Sequence, residues 1–164
     1  MSIESARDGQ TREAEMPGVI APPPLIYLGG LIVGFLLEAL LPGTSIPAAV
    51  AWPVGVVLIV AGGVLARSFF RAFQRAETPI SPYASATALV TTGPYRLTRN
   101  PGYLGMALAF AGIAVVTGAL WLFLPLVVVL VVIDRGVIVR EERYLEARFG
   151  GEYRRYRKRT RRWL

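Results

Sequence analysis

From Pro101 to Ile133 the chain carries no ionisable side chain except that of Tyr103, and charge returns only at Asp134. At roughly 1.5 Å per residue, an unbroken helix over this run would extend about 50 Å, against a hydrocarbon core of roughly 30 Å. The run must therefore fold back on itself inside a membrane as a helical hairpin. Directly before it stands Gly93-Pro94-Tyr95-Arg96-Leu97-Thr98-Arg99-Asn100, rich in arginine and turn residues. Directly after it come Asp134, Arg135, Arg140, Glu141 and Glu142. A polar loop that feeds a buried hairpin, with charge again on its far side, points to a binding site at the cytoplasmic mouth of the hairpin.

Composition agrees with a membrane protein. The 164 residues are 54% hydrophobic with a mean hydropathy of +0.49, too apolar for an ordinary soluble domain. Residues 25–41 carry only Glu38, residues 48–66 carry no charge, and residues 102–133 supply two more spans. The expected fold is an all-α integral membrane protein of about four transmembrane helices, with a C-terminal hairpin and a cytoplasmic amphipathic helix. Residues 1–20 mix acids, arginines and small polar residues without a basic segment leading into an apolar core. They read as a disordered cytoplasmic tail rather than a cleaved signal, ahead of a single domain over residues 21–164.

The basic residues set the orientation. Arg67, Arg71, Arg75, Arg96 and Arg99 lie between the second and third spans, and eleven further Lys or Arg residues follow Ile133. The other two connections are uncharged, so four spans with both termini cytoplasmic put every basic segment inside. The expected home is a multi-pass position in a bacterial inner membrane. The net charge of +7 then reflects contact with anionic headgroups rather than nucleic acid.

There is no cysteine and no histidine. Thiolate nucleophiles, Cys/His metal sites and imidazole bases are excluded, and no metal is expected. Chemistry here must use carboxylates, tyrosines, arginines, backbone groups or a borrowed cofactor.

Local patterns fill in the frame. Gly29, Gly30, Gly34, Gly62 and Gly63 are read as helix-packing residues, with Gly30 and Gly34 at small-xxx-small spacing. Glu38 near the outer end of its span can reach water. Residues 80–92 form an irregular loop able to lie over the site. Asn100-Pro101 starts the third span with Asn as N-cap, and the free N–H groups there, beside Arg96 and Arg99, suit an anion. The fourth span continues as a helix to Phe149, Gly150-Gly151 ends it, and a basic helix over residues 152–159 carries Tyr153 and Tyr156.

Two polar clusters meet when the hairpin closes: Tyr95, Arg96, Arg99, Asn100 and Tyr103, and Arg140, Glu141, Glu142, Tyr144 and Arg148. Adjacent glutamates lie about 100° apart round a helix, so at most one of Glu141 and Glu142 points fully into a shared pocket.

These clusters also carry a resemblance. The run from Gly93 through Arg99-Asn100-Pro101-Gly102-Tyr103-Leu104-Gly105 resembles the Gly-Pro-Tyr-Arg…Arg-His-Pro-x-Tyr-x-Gly signature of isoprenylcysteine carboxyl methyltransferases and their bacterial relatives. Arg140-Glu141-Glu142-Arg143-Tyr144-Leu145 with Phe149-Gly150, Glu152-Tyr153 and Tyr156 is similar to that family's C-terminal block. The resemblance covers residues 88–164, and phospholipid N-methyltransferases share the same core. It implies an integral membrane methyltransferase that uses S-adenosylmethionine and acts on a hydrophobic or lipid-like acceptor, with isoprenylcysteine-type carboxyl O-methylation favoured over amine N-methylation. It implies a cofactor site made of Tyr95, Arg99, Asn100, Pro101, Tyr103, Leu104, Gly105, Glu141 and Glu142, with Arg99 and Glu142 as the catalytic pair. Asn100 departs from the pattern, standing where the family commonly has His; it hydrogen-bonds but does not titrate near neutral pH. Two other classes compete: a non-catalytic membrane scaffold, and a reductase sharing this core, against which the lack of a Gly-x-Gly-x-x-Gly run counts.

Overall fold

A computed structural model describes residues 21–41, 43, 46–80 and 84–164. The tail expected over residues 1–20 lies outside them. Described residues form helices and connecting turns without a strand. Helix α1 spans Pro23–Leu40, α2 Ala48–Arg75 and α3 Pro101–Thr117. A 3-10 turn at Leu120–Leu122 then leads into α4 (Phe123–Val132), a widened π turn (Ile133–Ile138) and α5 (Val139–Arg159). A shorter 3-10 turn, Gly93–Arg96, precedes α3.

The hairpin turns where the charge-free run predicts. Gly118 takes φ 70°, the left-handed conformation that ends a helix, and α4 returns beside α3. Three helices are long and apolar enough to cross a membrane: Pro23–Leu40, Ala48–Arg75 and the apolar part of Leu120–Arg159. Helix α3, apolar throughout, has 17 residues and stands at the short end of the spanning range. We take the fourth span as residues 120–138, so that α5 lies beyond it.

Glycines decide which helices touch. An added Cβ on Gly62 would lie 2.6 Å from the carbonyl oxygen of Gly105, and one on Gly55 would lie 2.8 Å from that of Gly112. The two pairs, seven residues apart on both α2 and α3, let the backbones approach with no side chain between them. Gly30 and Gly34 of α1 make room instead for the side chains of Val129 and Leu122, which an added Cβ would meet at 2.5 and 2.7 Å, and so seat α1 on the returning arm of the hairpin. A Cβ added to Gly29 or Gly63 would meet nothing within 4 Å among the described residues, so these two take no part. The centre is filled by Phe110, Ala114, Leu122, Ile133, Val137 and Ile138, all essentially inaccessible. Leu28, Ile32, Val57, Val60, Val127 and Val131 face outward, as lipid-facing side chains should.

Each end of the bundle has its own ties. At the uncharged end Glu38 accepts the Trp121 N–H at 3.2 Å, which gives this carboxylate a structural use. At the charged end the Tyr27 hydroxyl donates to the Tyr103 carbonyl at 2.9 Å. The start of α1, the start of α3 and the whole of α5 therefore share one end of the molecule.

Candidate functional site

The loop before α3 is shaped by Gly93, whose φ of 61° reverses the chain into the 3-10 turn. It then runs alongside the last residues of the chain, Thr98 pairing with Arg161 as an isolated parallel bridge. Arg99 N–H donates to the Arg161 carbonyl at 2.9 Å. The Thr98 hydroxyl and Asn100 Nδ2 both donate to the Arg162 carbonyl, at 3.0 and 2.8 Å. Asn100 occupies the N-cap position of α3, but its side chain makes no capping bond. The expectation of a capping side chain is corrected: a carbonyl 62 residues away takes the amide instead.

Held this way, the tail threads one arginine between two acids. Arg162 donates from Nη2 to Glu142 Oε2 at 2.6 Å and from Nε to Glu142 Oε1 at 3.2 Å. Its Nη1 reaches both oxygens of Asp134, at 3.3 and 3.2 Å, and Trp163 Nε1 donates to the same carboxylate at 3.0 Å. In a regular α-helix residues eight apart differ by roughly 80° round the axis. The π turn beginning at Ile133 takes up that difference, so one guanidinium serves both acids. Arg99 completes the row, Nη2 donating to Glu142 Oε1 at 2.8 Å and Nη1 to the Arg157 and Thr160 carbonyls at 3.0 and 3.1 Å. The order is Asp134, Arg162, Glu142, Arg99, alternating in sign. Arg99 and Glu142 side chains are each 12% exposed, so the pair is screened far less than a surface ion pair. The hydrogen bonds that Arg162 donates to Glu142 hold its guanidinium above its ordinary pKa. Arg99 Nε is buried with no partner among the described residues. A cavity of about 380 Å³ opens here, lined by Arg99, Val139, Glu142, Arg143, Glu146, Arg157 and Arg162.

Glu141 faces elsewhere, as helix geometry requires of its neighbour. The Tyr103 hydroxyl donates to Glu141 Oε1 at 2.6 Å. Burial pushes the Glu141 carboxyl up to about 7; the tyrosine hydrogen bond opposes this and the Glu142 charge adds to it. Tyr95 stands close enough that burial first, and the Glu141 charge second, hold its hydroxyl well above the usual phenol value. Tyr95 is fixed by Tyr156, whose hydroxyl donates to its carbonyl at 2.8 Å, and by Phe69 and Phe73, with ring centres 6.3 and 6.0 Å away.

The residues marked in the sequence thus separate into groups. Arg99, Asn100 and Glu142 meet at the cavity wall and its tail; Tyr95, Tyr103 and Glu141 meet beside it. Pro101 and Gly105 are buried in helix contacts, Gly105 against Gly62 of α2, and Leu104 is half-buried. Arg96 does not join Arg99 and turns to a second cavity, which corrects the expectation of a shared anion site. Tyr144 and Arg148 hold the loop before α3: the Ala86 N–H donates to the Tyr144 hydroxyl at 2.8 Å, and Arg148 Nε donates to the Ala86 carbonyl. Arg162 and Trp163 were not foreseen. Asp134, a lone carboxylate at the end of a span, was the signal that such a partner exists.

Residues 50–152 match the phospholipid methyltransferase family. The chain belongs to that family. It is a membrane methyltransferase, within the isoprenylcysteine carboxyl methyltransferase-like superfamily that the two motifs indicate. The match takes in α2, absent from the resemblance read in the sequence, together with Arg99, Glu141 and Glu142. An uncharacterized protein of Haemophilus influenzae is 48% identical over 50 residues, covering 27% of this chain and 79% of that protein. No solved structure matches.

Proposed function

We propose that this chain transfers a methyl group from S-adenosylmethionine to a lipid-like acceptor at the charged end of the bundle, the end read as cytoplasmic. The observation that carries the proposal is the largely buried Arg99–Glu142 ion pair in the wall of the first cavity. Families of this kind generally use S-adenosylmethionine, whose amino-acid end bears an ammonium and a carboxylate. Arg99 keeps one buried donor, Nε, free for a carboxylate, and Glu142 beside it suits an ammonium. The cavity volume falls within the roughly 300–1,000 Å³ of small-molecule sites. Bound here, the cofactor would supply an electrophilic methyl group on a sulfonium. The residues supply position rather than covalent chemistry, and position is worth most of the rate in such a transfer.

Glu141 bears on the acceptor. An ammonium group must lose a proton before its nitrogen can attack, whereas a carboxylate needs no base. With its pKa near 7 and Tyr103 holding one oxygen, Glu141 is a proton acceptor for an amine at neutral pH. An aminolipid is therefore the favoured acceptor. The carboxylate acceptor favoured by the motif resemblance is the second reading, supported by the four arginines that outnumber two glutamates in the cavity wall.

The test is incubation of membranes holding the full chain with isotopically labelled S-adenosylmethionine, followed by mass spectrometry of extracted lipids. Vesicles containing phosphatidylethanolamine should gain label on nitrogen. Label on a farnesylated cysteine carboxylate alone would select the second reading. No label in any hydrophobic fraction, with no cofactor binding, would make the chain a scaffold.

A further inference from the structure

The second cavity, about 360 Å³, is lined by Thr91, Arg96, Glu152, Arg155, Tyr156, Arg159 and Thr160, and shares no lining residue with the first. Its charges are in a different state. In the first cavity three of the four arginines, Arg99, Arg157 and Arg162, are in ion pairs with Glu142 or Glu146. In the second, Arg96, Arg155 and Arg159 are in no ion pair among the described residues, and neither is Glu152. Three guanidiniums face one carboxylate, a formal surplus of two positive charges in a concave site. Arg155 and Arg159 are four apart on α5 and so share a face, and Arg96 approaches from the end of the 3-10 turn. Thr91 and Thr160 add hydroxyls that make no other hydrogen bond among the described residues.

We propose that this cavity binds a phosphate group, and that the phosphate belongs to an anionic phospholipid of the surrounding bilayer. Guanidinium forks match the paired oxygens of a phosphodiester, and convergence from two segments distinguishes a site from a solvated basic face. The lipid source follows from Leu97. This residue, next to Arg96, is 72% exposed although apolar, and an apolar side chain beside an uncompensated arginine fits the boundary between acyl chains and headgroups. The site also touches the machinery from behind: Tyr156 holds Tyr95, and the Thr160 carbonyl holds Arg99.

The test needs no cofactor, so its outcome is independent of the methyl-transfer reading. Full-length protein in a neutral detergent is titrated calorimetrically with dihexanoyl phosphatidylglycerol, dihexanoyl phosphatidylcholine and inorganic phosphate. Phosphatidylglycerol should bind saturably and at least about tenfold more tightly than either of the others. The double variant Arg155→Gln/Arg159→Gln should lose about tenfold or more of that affinity with an unchanged helical circular-dichroism signal, since both side chains are exposed. Lys158→Gln/Arg161→Gln removes the same charge from side chains outside the cavity and should bind as the parent does. Equal losses in the two double variants, or equal binding of phosphatidylcholine, would overturn the site. Inorganic phosphate binding as tightly as phosphatidylglycerol would overturn the bilayer as its source.

Discussion

Replacing Glu142 by Gln removes one negative charge from between two guanidiniums while keeping the shape of the side chain. Two ion pairs are lost, one to Arg99 at 2.8 Å and one to Arg162, whose two hydrogen bonds measure 2.6 and 3.2 Å. Each such contact contributes about 1.5–3 kcal/mol when well buried. Glu142 and Arg99 are 12% exposed and retain most of that, while Arg162 at 33% is closer to solvent and counts for less. A stability loss of about 2–4 kcal/mol follows, with Arg99 and Arg162 left facing a neutral amide. The cofactor ammonium would lose its own charged partner, which corresponds to a rise in Kd of roughly ten- to a hundred-fold. Glu141→Gln is the matched control. Its side chain points to Tyr103, so cofactor affinity should stay within about threefold while turnover of an amine acceptor falls. Calorimetric titration of S-adenosylmethionine into both purified variants, with circular dichroism as the check on folding, separates the roles. Parental affinity in Glu142→Gln together with lost affinity in Glu141→Gln would refute the reasoning and move the ammonium to Glu141.

Arg99→Lys should weaken cofactor binding and Arg99→Ala should weaken it further, because a lysine offers a single point charge in place of a fork; parental affinity in Arg99→Ala would remove this residue from the site. Methylation of an amine acceptor should fall as pH drops through about 7, since Glu141 must be ionised to take a proton, and a flat profile from pH 6 to 8 would exclude it as the base. The same group works against folding as pH rises: its native pKa lies above the ordinary value of 4.5, so the native state binds the proton more tightly, and this contribution is present at low pH and lost between about 4.5 and 7. Chemical-denaturation series across that window should show the decline in the parent and not in Glu141→Gln. Gly62→Val should separate α2 from α3 and cut the yield of folded protein, because its Cβ would stand 2.6 Å from the Gly105 carbonyl oxygen, while Gly63→Val, with nothing within 4 Å, should be tolerated.

The hairpin was legible because a charge-free run longer than the membrane is thick permits one outcome, and Gly118 supplies the turn. The divergence of Glu141 and Glu142 was legible because the helical repeat forbids both from facing one pocket. The tail was not. Arg162 stands among eleven basic residues after Ile133, any of which suits a headgroup layer, and its partners lie 20 and 28 residues away. Asn100 misled for a related reason: Asn-Pro satisfies the local rule for a helix start, and the Arg162 carbonyl that takes its amide is remote in sequence. The glycine pairs were half visible. Gly62 was marked as a packing residue, but Gly55, Gly105 and Gly112 acquire meaning only once α2 and α3 lie side by side. The π turn at Ile133 was not legible, since an i→i+5 turn differs from the helix around it in backbone hydrogen bonding and no residue type demands it.

The row of alternating charges gives the proposed site a selectivity that neither motif alone would have. Asp134 lies in the π turn that closes the fourth span, Arg99 precedes the third, and Arg162 and Glu142 join them, so the row closes across both arms of the hairpin. A ligand group with a single charge placed between Glu142 and Arg99 would leave a partly buried partner uncompensated, a costly outcome away from water. A zwitterion does not. Its ammonium against Glu142 and its carboxylate against Arg99 lengthen the row by two members and keep the signs alternating. The native ion pair is then a closed form of the binding site, held in register by the tail, and the groups that would grip the ligand are already oriented before it arrives.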